Sequence, residues 1–179
     1  MSGFCGGPSW SAAARPGILM TVSSDAAVTV YRRGEHAFVA AHDRTTTGLW
    51  MGSGSVERVD VSDAVQLGAA VLTQLGRCST GVRHPAQHEW PAQRRTALDP
   101  IIKLARLRSW RSFIRTAALC NVRQSGSLVS VTPTQRNRRR VDVFNSLNEG
   151  TRELDDPTAA ALGAVNQAMF ERNDLEPNT

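Results

Sequence analysis

The chain has 179 residues, 41% hydrophobic and 21% charged, which is apolar material for one core and short for two. Its formal charge is +5, carried almost wholly by arginine, with Lys103 the only lysine; Cys5, Cys78 and Cys120 are an odd set without CxxC spacing. These numbers exclude a disulfide scaffold and a disordered polymer, and no apolar run approaches the roughly 20 residues that span a bilayer.

Residues 1–24 are rich in Gly, Ser, Ala and Pro, have no period, and are expected to be flexible. The opening MSGFCGGPSWSAAARPG has neither the early positive charge nor the apolar stretch of a signal peptide, and Met20 offers a second start. A cytoplasmic location is the expectation, and free thiols suit that reducing compartment.

Three β-like runs follow: Ala27–Tyr31, stopped by Arg32-Arg33-Gly34, then His36–His42, then Gly48–Met51. They read as a small antiparallel meander. Ser62–Gly76 reads as a helix, because Ala64, Leu67, Gly68, Val71, Leu72 and Leu75 recur at three- and four-residue steps as one apolar stripe. Ser62 or Asp60 caps it and Gly76 ends it. Cys78 to about Thr96, with Pro85 and Pro91, reads as an exposed loop. Asp99-Pro100 has the form of N-cap and first helical residue, opening a helix that carries Ile101, Leu104, Ala105 and Leu107 and has room to run on to Phe113.

Ala117–Arg123 and Leu128–Thr132 read as a hairpin closed by Gln124-Ser125-Gly126-Ser127. Gln135–Arg140 is a basic loop. Asp156-Pro157 repeats the cap-plus-proline signal before a last helix, Thr158–Glu171, with Ala161, Leu162, Val165 and Met169 inward; residues 174–179 are a polar tail. Val56–Gly68 echoes Thr151–Gly163: both pass from an extended segment through acidic residues into a helix with a Leu-Gly pair. The chain therefore reads as one α+β domain over residues 25–173. Its sheet is mostly antiparallel with helices packed on it, and it is built as two strand–strand–helix units.

No constellation of catalytic residues emerges. His84 and His88 have the spacing of two helical zinc ligands, but Pro85 lies between them and no Glu follows His84, so a plain surface loop is the better reading. His36 and His42 share one strand face, with no nucleophile or acid marked beside them. Gly52-Ser53-Gly54-Ser55 lacks the rest of a phosphate cradle and reads as a turn. The expectation is a protein that is not an enzyme, with no catalytic residue, metal or cofactor.

Arg106, Arg108, Arg111 and Arg115 mix with Trp110 and Phe113, a pattern that also suits single-stranded nucleic acid. The helical spacing of Trp110, Phe113 and Ala117 favours core aromatics beside a solvated Arg face. Arg136, Arg138, Arg139 and Arg140 form a second cluster, the best exposed electrostatic handle in the sequence.

From Leu107 to Phe170 the chain carries an ordered series: Arg108-Ser109-Trp110, Phe113, Ala117, Cys120, Val122, Gly126, Val131-Thr132-Pro133-Thr134 and Leu162-Gly163. With the Leu67-Gly68 helix and Gly81–Pro85, it resembles the immunity proteins of bacterial contact-dependent growth inhibition systems, the CdiI family, over roughly Ala37 to Glu171. The resemblance implies a cytoplasmic antidote. Such a protein binds, one to one, the toxic C-terminal domain of a CdiA-type surface protein delivered by a neighbouring cell. Many such toxins are RNases that cut transfer RNA, so an RNase partner is implied.

One departure concerns charge. Antidotes to basic nucleases are often acidic, and this chain is basic. Either the partner offers an acidic patch, or Asp60, Asp63, Glu149, Glu153, Asp155 and Asp156 cluster on one face. An inhibitor of this kind needs a few buried anchors and complementary charge. Trp90, for which a Pro-rich loop offers no core role, and Trp50 are candidate anchors. Arg136, Arg138, Arg139, Arg140, Glu149, Glu153, Asp155 and Asp156 are candidate charged contacts. The alternative is a basic nucleic-acid-binding module, for which arginine clusters alone predict weak, salt-sensitive contacts with dissociation constants of roughly 10⁻⁴ to 10⁻⁶ M.

Overall fold

Alternation of apolar and polar residues sets the sheet. The computed structural model describes residues 25–137 and 144–175. The first meander is β1 (Ala26–Arg33), β2 (His36–Thr45) and β3 (Trp50–Asp60), all antiparallel. After α1 (Ala64–Leu75) come a short β4 (Thr80–Val82), a single 3-10 turn, α2 (Trp90–Leu104) and α3 (Trp110–Ile114). The second meander is β5 (Ala118–Ser125) and β6 (Leu128–Arg136), with β7 (Phe144–Ser146) and β8 (Arg152–Asp155) both lying along β6. The closing helix is α4 (Ala159–Leu175). The strand order β3-β2-β1-β5-β6 continues into β7 and β8, and β4 adds to β2 as the one parallel pair among the described residues. The α+β class and the mostly antiparallel sheet expected from the sequence are both present.

One sheet face carries Val28, Val30, Val39, Cys120, Val122, Val129 and Val131, all essentially buried beneath α1 and α4. The other carries Tyr31, Phe38 and Ala40, covered by α2 and α3 through Ile101 and Phe113. Two-sided burial is confined to the β1–β3 half on this second face.

The two units foreseen from the sequence are related like the halves of a dimer. β1 and β5 pair antiparallel at the centre, with Val30 against Cys120 and Val28 against Val122. β2 pairs with β1 as β6 pairs with β5: Val30 opposes Val39, and Val122 opposes Val131. The two hairpins turn at Gly34 and Gly126, at φ 60° and 63°, a left-handed conformation that glycine adopts without steric cost. β3 and β8 close the units, placing Val59 and Leu154 at matching positions. The Leu-Gly echo is the contact between the helices. A Cβ on Gly68 would stand 1.7 Å from the Ala159 carbonyl oxygen, and one on Gly163 would stand 1.7 Å from that of Ala64. Each glycine thus admits the backbone of the other helix, one turn before its partner glycine.

Several local expectations are corrected. Asp63, not Ser62 or Asp60, caps α1 by accepting from the Gln66 N–H at 2.9 Å; Asp60 instead accepts from Ser62. Leu72 is on the outer side of α1, because the helix turns Ala70 and Gln74 into the sheet and α4. Trp50 begins β3, so Gly48 and Leu49 belong to the turn, and Gly52–Ser55 lies inside the strand. Cys78–Thr96 is not a loop: α2 begins at Trp90, and Pro91 sits in its first turn, where no N–H is needed. Pro100 is therefore inside α2 and does not open it. Lacking an N–H, it leaves the Thr96 carbonyl without its helical donor, and Gly54 lies beside that carbonyl.

α2 stops at Leu104, where Ala105 ends it and Arg106 takes φ 54°; α3 is a separate helix capped by Ser109. Gln135 and Arg136 belong to β6 and pair with β7. Thr158 caps α4 by accepting from the Ala161 N–H at 3.2 Å, so Asp156-Pro157 is the preceding turn. Ala161 is exposed, while Leu162, Asn166, Met169 and Phe170 point inward. The expected flexible segment 1–24 lies outside the described residues, as do positions 176–179 of the expected tail; Asp174 and Leu175 are helical.

Candidate partner-binding face

A glycine brings α2 onto the second sheet face. A Cβ on Gly52 would stand 2.6 Å from the Ala97 Cβ, so this crossing excludes any larger residue there. The Gln93 side-chain amide donates to the Gly52 carbonyl at 3.0 Å, and the Arg58 guanidinium donates to the Leu104 carbonyl at 3.2 Å. So fixed, α2 presents Trp90, Arg94, Leu98 and Ile102 at four-residue steps along one side. With Trp50 and Trp110 they wall an open, mainly apolar groove of about 780 Å³.

Each tryptophan is held from behind. Trp50 opposes Arg44 across the β2–β3 ladder, and that guanidinium lies 5.8 Å from its ring while pairing with Asp25. Trp90 meets the His84 ring edge-on at 5.5 Å, and His84 Nδ1 is 2.8 Å from the Thr47 hydroxyl. Just before Trp90, Glu89 accepts from Arg83 at 2.6 Å and from the Ala86 N–H at 2.6 Å. The Arg83 bond, and then the backbone bond, hold the Glu89 carboxyl well down, at about 2. Trp110 stacks on Phe113 with centroids 5.3 Å apart and meets Tyr31 edge-on at 5.6 Å. All three remain half-buried, with ring surface left to the groove.

Beside the groove the same sheet face turns polar. His42 Nε2 lies 2.8 Å from the Thr29 hydroxyl, which reaches Asn121 Oδ1 at 3.3 Å. Burial lowers the His42 pKa to about 4, so the ring is neutral at pH 7. Arg123 and Glu153 stand exposed farther along this face. His36 shares the face with His42, as the strand period required, but Phe38 and Ala40 intervene. Among the described residues no three His, Cys, Asp or Glu side chains gather as a metal would need.

The structure divides the candidate contacts. Trp90 and Trp50 are brought together in the groove. Glu149, Glu153, Asp155 and Asp156 are exposed at the opposite end of the sheet, on and around β8. Asp60 and Asp63 lie at the β3 edge, so the six acidic residues do not share one face. Arg136 is no free handle: it donates to the Ala117 carbonyl at 2.6 Å and lies 5.0 Å over the Phe144 ring. Arg138, Arg139 and Arg140 lie outside the described residues. Arg106, Arg108, Arg111 and Arg115 are exposed around a buried Phe113, as the core-aromatic reading required, although Trp110 is only half-buried. Arg94, Leu98 and Ile102 went unrecognised as groove residues. Their spacing from Trp90 was the available signal, hidden by the prolines on either side.

This is an α+β fold of two related halves with a recessed aromatic face on one of them. No protein-family model matches the sequence, and no curated protein sequence matches it. The fold is nevertheless found elsewhere. A protein of unknown function from Neisseria meningitidis superposes with a TM-score of 0.71 at 11% identity, over 83% of this chain and 94% of that one. A chain of the CdiA-CT/CdiI toxin and immunity complex from Yersinia pseudotuberculosis superposes with a TM-score of 0.67 at 12% identity, over 83% of this chain and 97% of that one. At these identities the likeness is one of fold.

Proposed function

We propose that this chain is a cytoplasmic immunity protein, which binds the C-terminal toxin domain of a CdiA-type surface protein one to one and blocks it without chemistry of its own. The observation that carries the reading is the fold shared, over nearly the whole domain, with a chain of a toxin and immunity complex. The aromatic groove supports it, since tryptophan and arginine in a recess are the residues that most often supply binding energy between proteins. The state of the reactive side chains agrees. The His42 ring is engaged by Thr29. The buried Cys120 thiol, which donates to Asn166 at 3.2 Å, is pushed up by burial and stays unreactive. The sequence resemblance makes an RNase the expected target.

The test is co-expression with the candidate toxin domain from the open reading frame directly upstream. The expected result is survival with this chain, death without it, and a one-to-one complex on size exclusion. Equal killing with and without the chain, and no complex, contradicts the proposal.

A further inference from the structure

The groove has a charge as well as a shape. Arg94 and Arg95 stand exposed on its α2 wall, and among the described residues neither forms an ion pair. Arg108 and Arg111, on either side of Trp110 in the chain, are also exposed. Asp99 is the acidic side chain on the lining. We infer that the groove receives an acidic segment of the partner protein, which inserts an apolar side chain among Trp50, Trp90 and Trp110 and sets carboxylates against Arg94 and Arg95.

An apolar floor with an unpaired basic rim discriminates in two ways. Water released from the tryptophan rings rewards an apolar anchor, and a basic partner leaves like charges facing each other. The inference explains how a basic chain suits an inhibitor's role: the surface it must match is acidic. It places the contact on the α2 side and not on the acidic β8 edge. For the partner's identity it rests on the immunity reading.

The full chain is titrated with the upstream toxin domain and, separately, with a fluorescein-labelled peptide of leucine, phenylalanine and glutamate. Trp90→Ala is expected to weaken both by about 30-fold, and Arg94→Glu with Arg95→Glu by about 10-fold or more with loss of the salt dependence. Asp155→Lys, on β8, with Glu149→Lys beside it, is expected to leave both unchanged. The arginine pair is exposed, so its effect stands even if Trp90→Ala perturbs folding, which a melting curve reports. A toxin complex weakened by the β8 variants and indifferent to the groove variants overturns the inference while the immunity reading survives. Peptide binding that depends on the groove, with no toxin complex, upholds the groove's chemistry and overturns the immunity reading. Binding of neither probe overturns the inference.

Discussion

The two halves of this molecule begin from one plan and diverge between strand and helix. In both, a hairpin turning at glycine lies against its twin, and a Leu-Gly helix covers the same sheet face. After the helix the first half inserts residues 77–117, which form β4, α2 and α3 and fold back over its second face. No described helix covers that face of the second half: Leu119 and Thr134 are buried, but Asn121, Arg123 and Thr132 remain half-buried or exposed. The shared half of the plan makes the core. The unshared insertion makes the groove, so the duplicated scaffold gains a recessed aromatic surface where its symmetry ends.

The insertion is anchored by Phe113, which is fully buried against Phe38 and Tyr31. Phe113→Ala is expected to cost about 4 kcal/mol by denaturant unfolding, the range for emptying a large aromatic site. A value under about 1 kcal/mol would mean that α3 merely rests on the first half.

The symmetric contact is tested by Gly68→Ala and Gly163→Ala. Each puts a Cβ against a backbone carbonyl that cannot rotate away, so each is expected to cost about 3 kcal/mol. The two losses should be similar, and a clear inequality would break the twofold description.

The polar seam between the halves should respond to pH. Burial lowers the folded-state pKa of His42 from 6.5 to about 4, so the unfolded chain takes up a proton that the folded one refuses. Stability is then full above about pH 6.5 and falls as pH drops toward 4, by about 2 kcal/mol once partial solvation is allowed for. His42→Gln should flatten that portion of the stability curve; an unchanged slope would remove His42 from the account.

The smallest effect concerns a position where the halves differ. Gln74 in α1 is buried, and no described residue accepts from its side-chain amide. Its counterpart in α4 is Met169. Gln74→Met is expected to be neutral or to stabilise by about 1 kcal/mol, read from the melting temperature, because it removes an unpaired donor. A loss of more than about 1 kcal/mol would show that the Ser55–Gln74 hydrogen bond matters more.

What could be read from the sequence follows the same division. The duplicated part was legible because its signals are local: alternation in AVTVY and HAFVAAH, a glycine at each hairpin, and one Leu-Gly pair per helix. The insertion was not, because its signals conflict. Pro91 and Pro100 bracket a run that folds as one helix, since the first falls where no N–H is needed and the second leaves a single carbonyl beside Gly54. Trp90 stands out in the sequence, yet its neighbours at Arg94, Leu98 and Ile102 become apparent only once the run is a helix. Arg136 misled for the opposite reason. An arginine in a basic run resembles a solvated one until its carbonyl acceptor, contributed from residue 117, is known.

The inferred contact puts the binding face on the insertion. Hydrogen exchange of the full chain, alone and saturated with the upstream toxin domain, tests it most directly. Slowed exchange is expected at Trp50–Gly52, along Trp90–Ile102 and around Trp110, with no change at Arg152–Asp155. Protection confined to β8 and the turn before α4, with α2 unaffected, would contradict it.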